Sequence, residues 1–174
     1  MKLFRNLSII VIFLLFTQNN LIADLPRYLD FKYILNQSEA GKKAQTYLKK
    51  SLNDGIKKIK DKEKSIQEEE KKIIKQKKVI SAEEYKKQVT NLRTKVASLQ
   101  KERNELLDRI AKQRSKARNE LLKNLNPIIQ EYMQKNNVRV VLDKKSLLLA
   151  DEKLDITKEI IELLNKKLKS IKLN

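Results

Sequence analysis

The sequence predicts a mainly α protein with a small β head, an α+β chain built on a long antiparallel coiled-coil hairpin. Three observations lead there. Proline and glycine number two each in 174 residues, too few for the turns of a sandwich, a barrel or a doubly wound sheet. From Glu39 to Asn126 there is no proline, while isoleucine and leucine recur at helical spacing. Only after Pro127 does the texture change, to short apolar runs separated by charged residues.

The first element reads as an address label. Lys2 and Arg5 precede an apolar run from Leu7 to Phe16, and Ala23 stands ahead of Asp24. A basic start, about ten apolar residues and a small residue at the boundary describe a secretory signal peptide over 1–23. The run is well short of the ~20 residues a membrane-spanning helix needs, and an uncleaved anchor is the alternative. With no Cys after the run, a lipidated amino terminus is excluded. Loss of Lys2 and Arg5 takes the formal net charge from +18 to +16.

Residues 24–38 begin the head. Pro26 opens a short strand that runs into a short helical turn, with Ser38 as the cap of the long helix beyond it. Residues 39–126 form the arm. Ser81 followed three positions later by Glu84 is a capping box, in which Ser takes an orphan backbone N–H and Glu reaches back to the cap. Such a box starts a helix, so the chain reverses near 79–81, giving about 40 residues out and about 45 back. One unbroken helix with Ser81 exposed is the alternative.

The outward helix carries Leu52, Ile59, Ile66, Ile73 and Ile80 at intervals of seven, but Glu63, Glu70 and Lys77 stand where a second apolar column belongs. The returning helix offers Tyr85, Val89, Leu92, Val96, Leu99, Leu106 and Ile110, interrupted by Arg103 and Gln113. Helices this long need a partner, so the two stripes pack on each other through a thin, bendable core. Gly55 is either a bend point or a tolerated exposed glycine.

Residues 127–174 complete the head. Asn126 caps a new helical piece beginning at Pro127 and running to about Asn136. Residues 138–142 and 146–150 read as strands joined by a turn at 143–145, and Asp155 caps a terminal helix over 156–169. One copy of such a head is too small to bury much core, so it oligomerises. Its apolar positions are Val138, Val140, Leu142, Leu147, Leu149, Ile156 and Ile160.

Composition also excludes functions. Without Cys or His there is no thiol nucleophile, no Ser-His-Asp triad and no Cys/His zinc site, and Gly41 and Gly55 cannot build a phosphate-cradling loop. No cofactor is expected, and enzyme is the poorest class. The charge lies on the arm. Residues 42–78 hold 14 Lys against six acids, and residues 82–118 hold 11 basic residues against five acids. Such an excess attracts an acidic partner or an anionic membrane face rather than merely conferring solubility.

The run Ser38-Glu39-Ala40-Gly41-Lys42-Lys43-Ala44-Gln45, the Lys-rich hairpin, Val138 to Ala150 and Asp155-Ile156-Thr157 ahead of an apolar helix resemble the Skp/OmpH family. Its members are periplasmic chaperones of outer-membrane proteins. The resemblance covers essentially the whole chain after the signal peptide. It implies a homotrimer whose short strands form a common trimerisation head, with three arms around a cavity that holds unfolded outer-membrane proteins without ATP. It leaves open a site for anionic lipid or lipopolysaccharide. Client contacts then fall to Ile66, Ile73 and Ile80 and to Lys71, Lys72, Lys75, Lys77 and Lys78 near the hairpin end; Tyr47 and Tyr85 serve either clients or the seam. Two other classes compete. Arg109, Arg114 and Arg118 at near-helical spacing suit nonspecific phosphate binding, but no specific nucleic acid is expected of an exported chain. A structural envelope spacer fits the coiled coil yet lacks any wall-binding module.

Overall fold

The computed structural model describes residues 25–173, so the signal peptide reading lies outside the described residues. Strand β1 (Arg27–Leu29) leads into α1 (Phe31–Gln37), α2 (Glu39–Gln76) and α3 (Ala82–Lys135), followed by β2 (Val141–Asp143), two 3-10 turns and α4 (Thr157–Lys167). β1 and β2 pair in parallel, with Arg27 opposite Val141 and Leu29 opposite Asp143. Parallel strands need a crossover, and here the crossover is the entire α2–α3 hairpin.

Each of the first three helix starts is locally specified. Asp30 accepts the Tyr33 N–H at 2.7 Å to begin α1. Ser38, fully buried, takes the Gly41 N–H at 3.2 Å and redirects the chain from α1 into α2. Ser81 likewise takes the Glu84 N–H at 3.2 Å to begin α3, whereas the Glu84 carboxylate turns to Gln88 rather than back to the cap. The reversal falls between α2 and α3, with the Val79 and Ile80 N–H groups both on the Gln76 carbonyl. Helix α3 stops at Asn136 and Asn137. Asn137 takes the left-handed φ of 52°, and the Val138 N–H returns to the Met133 carbonyl at 2.9 Å, a Schellman ending.

Two segments are built differently from the sequence reading. Pro127 does not start a helix: α3 runs through it for 54 residues. An interior proline forfeits one backbone hydrogen bond and costs about 3 kcal/mol. Its neighbours Leu125 and Ile128 are 0% and 3% exposed in the head core, and burial on the order of 1.5–3 kcal/mol for each offsets that. The second departure concerns the strands. Only Val141–Asp143 is a strand; 144–146 is a 3-10 turn and 147–150 is irregular. In a single chain β1 occupies one edge of β2, and residues 146–150 have no strand beside them to pair with, so Leu148 and Leu149 stand 104% and 94% exposed.

The head core joins both ends of the chain: Leu29, Ile34 and Ala40 meet Leu121, Leu125 and Ile128 of α3 and Ile156, Ile160 and Leu164 at α4. Polar stitching reinforces it. The Ile156 N–H donates to the Tyr28 carbonyl at 2.9 Å, the Asp30 N–H to the Thr157 hydroxyl at 2.8 Å and the Glu39 N–H to the Asn165 side chain at 2.8 Å. Asp155 is not itself the cap of α4 but sits just before it, accepting the Thr157 N–H at 2.9 Å and, by a short hydrogen bond, the Thr157 hydroxyl. Partial burial pushes the Asp155 carboxyl up, but those two Thr157 bonds and Lys144 at 3.3 Å outweigh it and hold it below the ordinary carboxylate value.

Gly41 is obligatory. A Cβ there would lie 1.9 Å from the Leu35 carbonyl oxygen, a backbone atom that cannot yield. Gly41→Ala should cost about 3 kcal/mol by forcing the α1–α2 corner apart, read as a lowered urea midpoint. For Asp155 the sign follows from its lowered folded pKa: its contribution is present above the unfolded value of about 3.9 and is lost as pH falls through the folded value. Asp155→Asn should therefore remove part of the stability at pH 7 and flatten its decline below about pH 4, measured by denaturation at successive pH values.

Candidate client-binding surface

Helices α2 and α3 are about 57 and 81 Å long at 1.5 Å per residue, from 38 and 54 residues. Most of that length projects from the head as the arm. Its apolar seam is discontinuous. At the root Ala44, Leu48 and Ala117 pack together with Leu173 of the C-terminal segment. Farther out Ile59 meets Leu106 and Ile110, flanked by Leu52 and Leu99. Near the tip Ile73 is buried at 5% exposure.

Between Ile59 and Ile73 the helices are joined by charge. Lys62 reaches Glu102 at 2.6 Å, Lys95 reaches Glu69 at 2.6 Å, and Arg103 lies 3.7 Å from Glu63. The last pair explains two irregularities at once: Glu63 breaks the stripe of α2, Arg103 breaks that of α3, and they face each other. Gln113, the other break, donates to the Leu173 carbonyl at 2.8 Å and so holds the C-terminal segment against the arm. These ion pairs are largely solvated, each contributing about 0–1 kcal/mol and weakened by salt. Between Ile59 and Ile73 no residue of α2 is buried.

Gly55 is neither bend nor tolerated surface. A Cβ there would meet the Leu106 methyls at 2.5 and 2.7 Å, so the missing side chain lets the helices approach. Tyr85 is half-buried against the arm, and Lys77 lies over its ring at 5.6 Å.

The client-contact residues expected from sequence divide. Ile73 is buried and offers almost no surface, while Ile66 and Ile80 are half-buried. Lys71, Lys72, Lys75, Lys77 and Lys78 are all exposed around the tip. The apolar groups standing in solvent are others: Ile74 at 60%, Val79 at 84% and Val96 at 50%. A heptad column marks residues that pack, so the positions beside the column are the signal for exposure. In the head, Val138, Ile156 and Ile160 are buried within the chain. Leu147 is half-buried, and Val140, Leu142, Leu148 and Leu149 are exposed beside the open edge of β2.

Among the described residues no His/Cys/Asp/Glu group is arranged to hold a metal, and no helix is long and apolar enough to cross a membrane. The family model described as outer membrane protein (OmpH-like) matches residues 27–164, spanning head and arm alike. The chain belongs to the OmpH-like family. A crystal structure of an OmpH-like protein from Caulobacter crescentus CB15, assigned as an outer membrane chaperone, superposes with a TM-score of 0.80 at 21% identity. The match covers 85% of this chain and 89% of that one, so the hairpin-and-head fold is shared throughout. No curated protein matches in sequence.

The layered OmpH-like arm makes a graded expectation. Ile59→Ala should cost about 2–4 kcal/mol because it opens the Leu106–Ile110 layer, and Ile66→Ala, half-exposed, clearly less. Replacing Glu63 and Arg103 together by Leu should join the two apolar layers, raise the thermal midpoint and reduce its dependence on salt, both followed by circular dichroism.

Proposed function

We propose that this OmpH-like chain is an exported, ATP-independent holdase for unfolded outer-membrane proteins, acting in the periplasm as a homotrimer. The observation that carries the reading is the family match across both halves of the molecule, the stitched head and the charged arm. The chemistry of the surface agrees with it. An arm with an apolar seam broken by solvated ion pairs bends at little cost. Isolated apolar side chains such as Ile74, Val79 and Val96, set among lysines, provide weak and reversible contacts instead of a tight apolar site. Lysines attract acidic segments over about 8 Å at physiological salt. No reacting group is required.

The head supports the trimer. The open edge of β2 and the exposed Val140, Leu142, Leu148 and Leu149 form an apolar margin that a monomer would leave in water. In the proposed assembly residues 146–150 gain the strand partner that one chain does not supply, and three arms surround the client.

The exported protein should elute early as an elongated particle with three times the chain mass by light scattering, and should slow aggregation of a urea-denatured outer-membrane barrel on dilution. A monomer that holds no client would overturn the reading. Leu148→Asp with Leu149→Asp should lower the mass to that of one chain. Ile74→Asp with Val79→Asp should leave the mass unchanged but require several-fold more chaperone for equal protection.

A further inference from the structure

Beyond α4 the chain does not simply trail away. The backbone turns extended at Leu168, and the residues after it lie along the root of the arm as a strap. Its side chains alternate: Ile171 and Leu173 are covered, while Ser170 and Lys172 stand in solvent. The family match reaches residue 164, so the strap lies beyond it.

Three fastenings hold the strap. Lys169 pairs with Glu39, the first residue of α2, at 3.1 Å. Ile171 packs against both the head core and the root cluster, and Leu173 sits in that cluster with Ala44, Leu48 and Ala117. The Gln113 side-chain N–H donates to the Leu173 carbonyl, whereas the Gln113 Oε1 is buried with no hydrogen-bond partner. The strap thus ties the last helix of the head to both helices of the arm. It does so where the seam is thin: Gly41, Ala44 and Ala117 line a cleft of about 850 Å³ that no strap residue fills.

The position gives the strap leverage. Along α2, Leu48 lies about 15 Å from the Ser38 corner and Gln76 about 57 Å from it, so a shift at the strap grows roughly fourfold toward the tip. The fastenings are also separable from the fold. No residue from 168 to 173 belongs to a helix or strand, the ion pair is solvated, and the one side-chain hydrogen bond leaves a buried acceptor unsatisfied. A segment held in this way opens locally before the core does.

We infer that residues 168–173 are a detachable strap that fixes the angle of the arm on the head, and that its release lets the arm swing at the root with both helices intact. In a holdase, release would widen the space beside the arm. That consequence rests on the proposed function; the strap itself is measured with no client present.

The test is pulsed electron paramagnetic resonance on the exported protein with spin labels at Lys158→Cys in the head and Lys64→Cys on the arm. Both positions are exposed, and the chain has no cysteine of its own. Dilution into excess unlabelled chain restricts the reading to distances within one chain, whatever the assembly. A single narrow distance distribution is expected. Ile171→Asp with Leu173→Asp should at least double its width while circular dichroism keeps the full helix signal, and Gln113→Ala should broaden it less. Ser170→Asp, on the outward side, should leave it unchanged. With the natural strap, urea should broaden the distribution at concentrations below those that reduce helix content. An unchanged width in the Ile171/Leu173 variant, equal broadening by Ser170→Asp, or broadening that appears only together with lost helix would each overturn the assignment.

Discussion

The molecule depends on one constraint: two helices of about 57 and 81 Å cannot hold themselves, and so must be clamped at the end where the chain enters and leaves. The clamp is the meeting of the amino-terminal segment with the start of α4. Thr157 is its centre, donating to Asp155 and accepting from the backbone of Asp30, while Asn165 accepts from the backbone of Glu39. Around these bonds Ile34, Leu125, Ile156, Ile160 and Leu164 are shut away from solvent almost completely. This is why the two most specific sequence runs, at 38–45 and 155–157, lie so far apart in the chain and so close in space.

From that fixed end the arm becomes progressively less specified. Near the head, Ser38 and Gly41 set the departure of α2, and the C-terminal segment braces both helices through Leu173 and Gln113. Midway the apolar layer at Ile59 gives way to ion pairs whose strength depends on solvent and salt. At the tip Ile73 is buried, and the turn beyond it bears exposed Val79. Buried apolar contact is concentrated in the head and thins out along the arm. A seam that was apolar throughout would make a stiffer rod.

The polar seam also separates two kinds of positive charge. Lys62, Lys95 and Arg103 are committed to the opposite helix. At the tip Lys77 also reaches across, over the Tyr85 ring, but Lys71, Lys72, Lys75 and Lys78 stand exposed among scattered apolar side chains. The overall charge of the chain therefore describes neither place well.

The helices, their reversal and the composition of the arm are all legible in the order of residues. They rest on periodicity, on the absence of proline and on caps such as Ser38 and Ser81, all of which act within a few residues. The breaks in the seam at Glu63 and Arg103 are equally plain there. Other outcomes needed the folded chain: that these two breaks neutralise each other, that Gly55 admits Leu106, that Pro127 is carried inside a continuous helix, and that Ile73 packs while Ile74 stands in solvent. Each of those depends on a group across the hairpin or within the head, brought there from far along the chain. The strand read at 146–150 shows the same limit from the other side: strand propensity is local, but a strand exists only where another lies beside it.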